Sequence, residues 1–223
     1  MNPMADQLFL SLWYPNFRLT SLPHALTGVL RQFANVARDG KNHSPYGRVA
    51  AASATPIDWT EAPIYQRIFV NDHRSDTGEA SIIENAVAEA TEQLHDDTAY
   101  EFEMRWELWQ PDTAEGSDLG FDTAWKLAPA RVRIIGFGPE FDAGSFEQNG
   151  QIRVDFGIDT PWTFDNEDEL DEDAARRIQQ NIEKLLAFTL SVEKHCGISS
   201  RLLWTESGEP LAEKLVAKLQ RIN

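Results

Sequence analysis

Residues 100–110 read "YEFEMRWELWQ", and apolar and polar side chains alternate along them with almost no error. In a β-strand successive side chains point to opposite faces, so this alternation predicts a strand with one buried and one open face. The predicted buried face carries Tyr100, Phe102, Met104, Trp106 and Leu108. The predicted open face carries Glu101, Glu103, Arg105, Glu107 and Trp109. Such a strand belongs to a sheet that other elements cover on one side.

The three glutamates on the open face need partners of opposite charge, either a cationic ligand or arginines on a neighbouring strand. In residues 131–137, "RVRIIGF", Val132 and Ile134 share one parity, which leaves Arg131 and Arg133 on the open face. Consecutive strands usually pair, and an opposed charge pair contributes ~0.2–1 kcal/mol. This spacing favours the arginines as partners, so we interpret the glutamates as part of the sheet rather than as a ligand site.

Hydrophobic periodicity predicts the elements on either side of this strand. Strands are predicted at 7–14, 48–55, 63–70, 131–137, 151–158 and 201–205, and helices at 19–37, 79–95 and 172–196, with a last helix opened by Pro210. The order within 7–110 is β-α-β-β-α-β, which is that of the ferredoxin-like fold. The rest follows the order β-β-α-β-α. The predicted fold class is α+β, an antiparallel sheet with helices on one face.

The chain of 223 residues can hold one large domain or two small ones. We expect a ferredoxin-like α+β unit at 1–110 and, at 131–223, either a second α+β unit or an extension of the same sheet. Residues 111–130 show no clear period and are predicted to form a long loop between them. Loops of this length are usually functional or mobile.

Charge and composition exclude several classes of partner. The chain has 20 lysines and arginines against 36 aspartates and glutamates, a net charge of −16. An acidic surface repels nucleic acid and anionic membranes, so neither is an expected partner. No apolar run approaches the ~18–20 residues that span a bilayer. The start lacks the features of a secretory signal and Cys196 is the single cysteine, so we expect a cytoplasmic protein.

Known catalytic and cofactor motifs fail at required positions, so no cofactor and no metal is expected. The neighbours His195 and Cys196 lie at a predicted helix C-terminus, whose negative partial charge disfavours a thiolate. The acidic run "DNEDELDED", 165–173, resembles a calcium loop at positions 1, 3 and 5. Leu170 and Arg176, however, stand where such a loop needs glycine and glutamate. The segment "GFGPEF", 136–141, lacks the third glycine of a dinucleotide-binding turn.

The best functional hint is an aromatic pair beside a concentration of acids. Trp162 and Phe164 come immediately before a run with seven acids in nine residues. Exposed aromatic side chains act as interface anchors, and carboxylates steer cationic partners and speed association. The sequence therefore predicts an acidic interaction protein, of the immunity or antitoxin kind, that binds a basic protein. The candidate partner-binding residues are Trp162, Phe164, Asp165, Glu167, Asp168 and Glu169.

Two other interpretations stay open. The end of the acidic run, 171–173, is also what a helix N-terminus favours, because its positive partial charge attracts carboxylates. Seven tryptophans and many acids also fit a small hydrolase or carbohydrate-acting enzyme with two carboxylates flanking the scissile bond.

Overall fold

Strand β4, Thr98–Pro111, contains the alternating stretch and pairs with a strand on each side. The computed structural model describes residues 6–38, 46–69, 79–111, 125–143, 146, 149–159, 161–162 and 172–207. The other strands are β1 Gln7–Trp13, β2 Val49–Pro56, β3 Tyr65–Ile68, β5 Trp125–Phe137, β6 Ile152–Ile158 and β7 Ser200–Thr205. The helices are α1 Leu22–Arg38, α2 Glu79–Ala90 and α3 Glu172–His195, and a 3-10 turn, Leu19–Ser21, precedes α1.

The seven strands form one antiparallel sheet in the order β3-β2-β4-β5-β6-β1-β7. The predicted α+β class and the antiparallel sheet are confirmed. The ferredoxin-like arrangement predicted for the first half is not supported, because β1 pairs with β6 and β7 and three strands separate it from β2. Strands from both predicted units, 1–110 and 131–223, share this sheet. The succession of elements fits several topologies, and long-range pairing decides among them.

In the described part of the chain, helices α1, α2 and α3 build the core on one face of the sheet. Helix α1 contacts α2, α3, β4 and β5, while α2 contacts β2 and α3 contacts β4. The even-numbered side chains of β4 and the buried faces of the helices belong to one continuous core. Gly136 in β5 lets α1 approach closely, since a Cβ there would lie 2.7 Å from Cδ1 of Leu22. Each aliphatic or aromatic side chain that is fully buried in this core stabilises the fold by ~1.5–3 kcal/mol.

The glutamates on the other face of the sheet meet arginines, as the spacing predicted. Glu103 lies opposite Arg133 in the β4–β5 register. Ion pairs run diagonally, at 3.7 Å from Arg131 to Glu103 and at 3.7 Å from Arg133 to Glu101. Glu107 instead accepts a hydrogen bond from the hydroxyl of Tyr46, 3.1 Å away. Two of the three glutamates are therefore internal partners of arginines.

Part of the predicted loop 111–130 is strand. The β4–β5 ladder continues as far as the pair Pro111 and Trp125, so residues 125–130 extend β5. They were predicted as loop because Lys126, Ala128 and Pro129 interrupt any apolar alternation, and backbone pairing with β4 holds them in place regardless. The remainder of that loop and the predicted C-terminal helix lie outside the described residues. Among the described helices, none is long and apolar enough to cross a membrane.

The edge of β4 is exposed beyond the end of β2, and helix α3 satisfies its backbone groups. Pairing with β2 ends at Met104. Farther along, the side-chain amide of Asn181 accepts from the backbone N–H of Trp109 at 2.9 Å and donates to its carbonyl at 2.8 Å. Lys184 Nζ donates to the carbonyl of Glu107 at 3.0 Å. Covering an edge in this way prevents pairing with another chain.

We expect Asn181→Leu to destabilise the protein strongly. Asn181 is 2% exposed and also donates to the carbonyl of Pro161 at 2.8 Å, so leucine would leave three backbone groups, one buried and two partly buried, without this partner. Each such group costs about 1–3 kcal/mol, so the expected loss is about 3 kcal/mol or more in urea unfolding. The control is Gln180→Ala, which removes only the exposed bond to the indole N–H of Trp109. Its expected cost is about 1 kcal/mol or less. Equal losses would contradict the role given to Asn181.

Candidate functional site

Trp162, the aromatic residue predicted to be an exposed anchor, is buried in the core. Its side chain is 0% exposed, and its ring centroid lies 6.0 Å from those of both Trp106 and Phe156. The indole N–H donates to the backbone carbonyl of Asn181 at 3.2 Å. The prediction that Trp162 is exposed is therefore wrong, because the aromatic cluster beneath α3 offers it more apolar contact than solvent does.

The other five candidate residues, Phe164, Asp165, Glu167, Asp168 and Glu169, lie outside the described residues, and their role in binding stays a prediction. The ends of their segment are described. At the start, Pro161 is held by Asn181 and Trp162 is buried; at the end, Glu172 and Asp173 occupy the first turn of α3, followed by buried Ala174. The described residues on either side of 163–171 are thus attached to buried parts of the fold.

Asn181 is a polar residue within the apolar stripe of α3, and this feature of the sequence indicates that α3 contacts backbone groups elsewhere in the chain. The stripe Ile178, Ile182, Leu185 and Val192 is buried, and Asn181 lies on the same side of the helix. A buried amide in such a place must find hydrogen-bond partners. Sequence alone did not identify which partners, because they come from Trp109 and Pro161, both distant along the chain.

A cavity of about 610 Å³ lies beside Asn181, between the C-terminal part of α1, the middle of α3 and the distal end of β4. This volume is within the range of small-molecule sites. Its lining includes Tyr46, Glu107, Trp109, Glu183 and Lys184. The cavity therefore brings together two carboxylates, a tryptophan and a cation, which are residue types that could bind a sugar or another polar ligand.

Hydrogen bonds within the protein already engage several of these groups. The hydroxyl of Tyr46 donates to Glu107, and burial together with this bond raises the pKa of that hydroxyl. The indole N–H of Trp109 donates to Gln180 at 2.7 Å, and the guanidinium of Arg177 lies 5.3 Å from the ring centroid of Trp109. The lining is thus held mainly by contacts that also stabilise the edge of β4.

No family model, curated protein or solved structure matches this chain. The candidate sites therefore rest on their own geometry. Within the described ranges, no three histidine, cysteine, aspartate or glutamate side chains lie close enough together to hold a metal ion.

A network of charges crosses the open face of the sheet from β4 to β6. Arg133 forms ion pairs with Glu101 and with Asp155, which is 2% exposed. Next to it, the guanidinium of Arg153 lies between the rings of Phe9 and Phe137, 5.2 Å from each centroid. Burial lowers the pKa of Arg153. These groups are matched to one another, so the network is part of the fold.

Glu101 and Arg133 form one ion pair, yet the fold raises the pKa of both side chains. Burial raises the pKa of Glu101, and Arg133 only partly offsets it. Burial also opposes the charge of Arg133, but Asp155 and Glu101 outweigh it, so the pKa of Arg133 is raised as well. The close contact with Asp155 accounts for the difference, since Glu101 is the more distant partner at 3.7 Å. The ionised carboxylate of Glu101 is therefore a net cost to the fold.

We expect Glu101→Gln to be at least as stable as the wild-type protein at pH 7. A carboxyl whose pKa is raised by folding costs stability when ionised, and this cost disappears as the pH falls below its ordinary pKa of 4.5, where both states are protonated. The advantage of the variant should therefore shrink between pH 7 and pH 4. Urea unfolding of both proteins across this range measures it.

Glu89→Gln is a control for which the expected change in stability at pH 7 has the opposite sign. Its carboxylate accepts hydrogen bonds from Arg67 and Tyr65, and the bond to Arg67 lowers the pKa of Glu89. This variant should lose stability at pH 7 and approach the wild type in acid. A loss of stability at pH 7 in Glu101→Gln would show that the pair with Arg133 outweighs burial.

Proposed function

We propose that this chain is a non-enzymatic interaction protein that binds a basic protein partner, in the manner of an immunity protein or antitoxin. The observation that carries the proposal is that described residues on both sides of 163–171 are anchored, since Trp162 is buried in the core and α3 begins at Glu172. A binding segment with fixed ends loses less conformational entropy when it meets its partner. The cytoplasmic location stays a prediction from the single cysteine.

The distribution of charge supports this proposal. Arginines of the sheet and of α1 are engaged with carboxylates of the same chain, as in the pairs Arg133 with Asp155 and Arg31 with Glu84. The net charge of −16 is therefore a surplus that internal pairing leaves unbalanced. Seven carboxylates of the chain are concentrated in one run, and such a concentration attracts a cationic partner over a Debye length.

Neutralising the run tests the proposal. The variant combines Asp165→Asn, Glu167→Gln, Asp168→Asn and Glu169→Gln. We expect its free energy of unfolding to stay within about 0.5 kcal/mol of the wild-type value. We also expect the variant to lose the ability to capture basic proteins from a lysate. Capture by the wild type should weaken between low and moderate salt, because exposed charges are screened.

A matched control removes the same number of charges from the helices. It combines Glu84→Gln, Glu89→Gln, Glu183→Gln and Glu193→Gln, all exposed residues of α2 and α3. This control should capture the same basic proteins as the wild type. The proposal is wrong if the run variant also captures them, or if the wild type captures none.

The alternative is a hydrolase or carbohydrate-acting enzyme, and the cavity beside β4 is the observation that favours it. Glu107 and Glu183 would be the two carboxylates and Trp109 the platform for a sugar ring. Against it, Glu101 is the described carboxyl whose pKa is raised, and it does not line the cavity. A catalytic acid is expected to have such a shift within the cavity.

A substrate screen decides between the two. We expect no turnover of chromogenic glycosides or esters by the wild-type protein. Turnover that Glu107→Gln lowers by about 100-fold or more would establish the enzyme instead, because loss of a general acid or base typically has an effect of that size.

A further inference from the structure

Three loops meet at the end of the sheet where β4 begins. They are residues 57–64 between β2 and β3, residues 91–97 between α2 and β4, and residues 138–143 after β5; we call them the three-loop surface. Backbone hydrogen bonds join all three. The N–H of Ile57 donates to the carbonyl of Asp97 at 2.6 Å, and the carbonyl of Ile57 accepts from Asp142 at 2.8 Å. The surface is therefore one continuous, fixed structure.

Two further contacts hold the loops together. The backbone N–H of Glu140 donates to the carbonyl of Asp96 at 2.8 Å. Gly138 permits this approach, because a Cβ there would lie 2.2 Å from the carbonyl oxygen of Asp96. The ring of Trp59 packs edge-on against Phe141, with 5.0 Å between centroids. A partner would meet a surface that is already shaped.

Large apolar side chains are exposed on this surface. Ile57 is 55%, Trp59 42% and Ile64 61% exposed, and Ile68 follows on the edge strand β3. Single exposed apolar residues are ordinary, but a group of neighbours marks an interaction site. Tryptophan in particular is enriched among residues that dominate binding energy.

The same three loops carry carboxylates, most of them exposed. The three loops contain seven acids, no lysine and no arginine. The acids are Asp58, Glu61, Glu92, Asp96, Asp97, Glu140 and Asp142. An apolar centre with a charged rim is the usual anatomy of a protein interface. The sign of the rim selects a cationic partner and disfavours a second copy of this acidic chain, since like charges across an interface cost affinity.

We infer that the three-loop surface is a docking site for a basic polypeptide segment that carries an apolar side chain between its cations. The apolar side chain would contact Ile57, Trp59 and Ile64, and the cations would pair with the carboxylates of the rim. The inference rests on the proposed function and adds to it a binding surface distinct from the run 165–173.

The backbone of Ile57 makes the inference testable without loss of folding. Its φ is 66°, a left-handed conformation that is strained for a β-branched residue. Asparagine adopts this conformation more easily. Ile57→Asn should therefore keep or raise the melting temperature, although it removes an apolar contact from the docking surface. A residue with a purely structural role would not separate stability from binding in this way.

The probe is a labelled octapeptide, Lys-Lys-Leu-Lys-Lys-Phe-Lys-Lys, titrated into the full chain. A matched peptide carries serine in place of leucine and phenylalanine. We expect the first peptide to bind about tenfold more tightly, with amide chemical-shift changes concentrated in the three loops. Ile57→Asn, Ile64→Ser and the triple variant Glu61→Gln, Asp96→Asn, Glu140→Gln should each weaken its binding about tenfold. The control with four neutralised helix glutamates should bind as the wild type does.

Each other outcome overturns the inference. If both peptides bind equally, or the shifts fall within 163–173 alone, the three-loop surface is not the docking site although the proposed function stands. If neither peptide binds at low salt while the run variant still loses its partners from a lysate, the inference again fails alone. Failure of both tests removes the proposed function as well. A dimer of the wild type that the triple variant abolishes would assign the surface to a second copy of the chain.

Discussion

Burial of the even-numbered side chains of β4 beneath the helices forces the odd-numbered ones onto the opposite face, because successive residues of a strand point in opposite directions. The first set joins the core, with Trp106 fully buried between Phe33 and Phe156. Within the second set, arginines of β5 pair with Glu101 and Glu103. A shift of one residue in register would place glutamates in the core, so the pairing of β4 with its neighbours is strongly specified.

The length of β4 creates a second requirement, since it extends beyond β2 and leaves backbone groups without a strand partner. Helix α3 supplies hydrogen-bond partners for these groups through Asn181 and Lys184. The same asparagine holds Pro161, and its carbonyl accepts from the indole of Trp162. Asn181 therefore connects the edge of the sheet, the lining of the cavity and the residues 161–162 that precede the acidic run. This connection explains why Trp162 is an internal anchor rather than a surface one.

The charged side chains fall into two groups, those paired with one another on the sheet and those exposed on the three-loop surface. On the sheet, Arg131 pairs with Glu103 and Arg133 pairs with Glu101 and Asp155, and the network around Arg133 is part of the fold. The loops of the three-loop surface contain carboxylates but no lysine or arginine, and they also carry exposed apolar side chains. The proposed recognition of a basic polypeptide depends on this chemistry, because carboxylates at an exposed apolar surface steer and select cationic partners.

The sequence by itself determined the α+β class, the two faces of residues 100–110 and the pairing of their glutamates with Arg131 and Arg133. These features depend on local periodicity and on neighbouring strands, both of which a linear pattern records. Only the tertiary structure decided that β1 lies between β6 and β7, that Trp162 is buried and that three separate loops form one surface. Those features depend on contacts between residues far apart in the chain, such as Asn181 with Trp109 and Ile57 with Asp142. Such contacts leave no periodic signal, because each depends on the packing of the whole chain and not on the residues beside it.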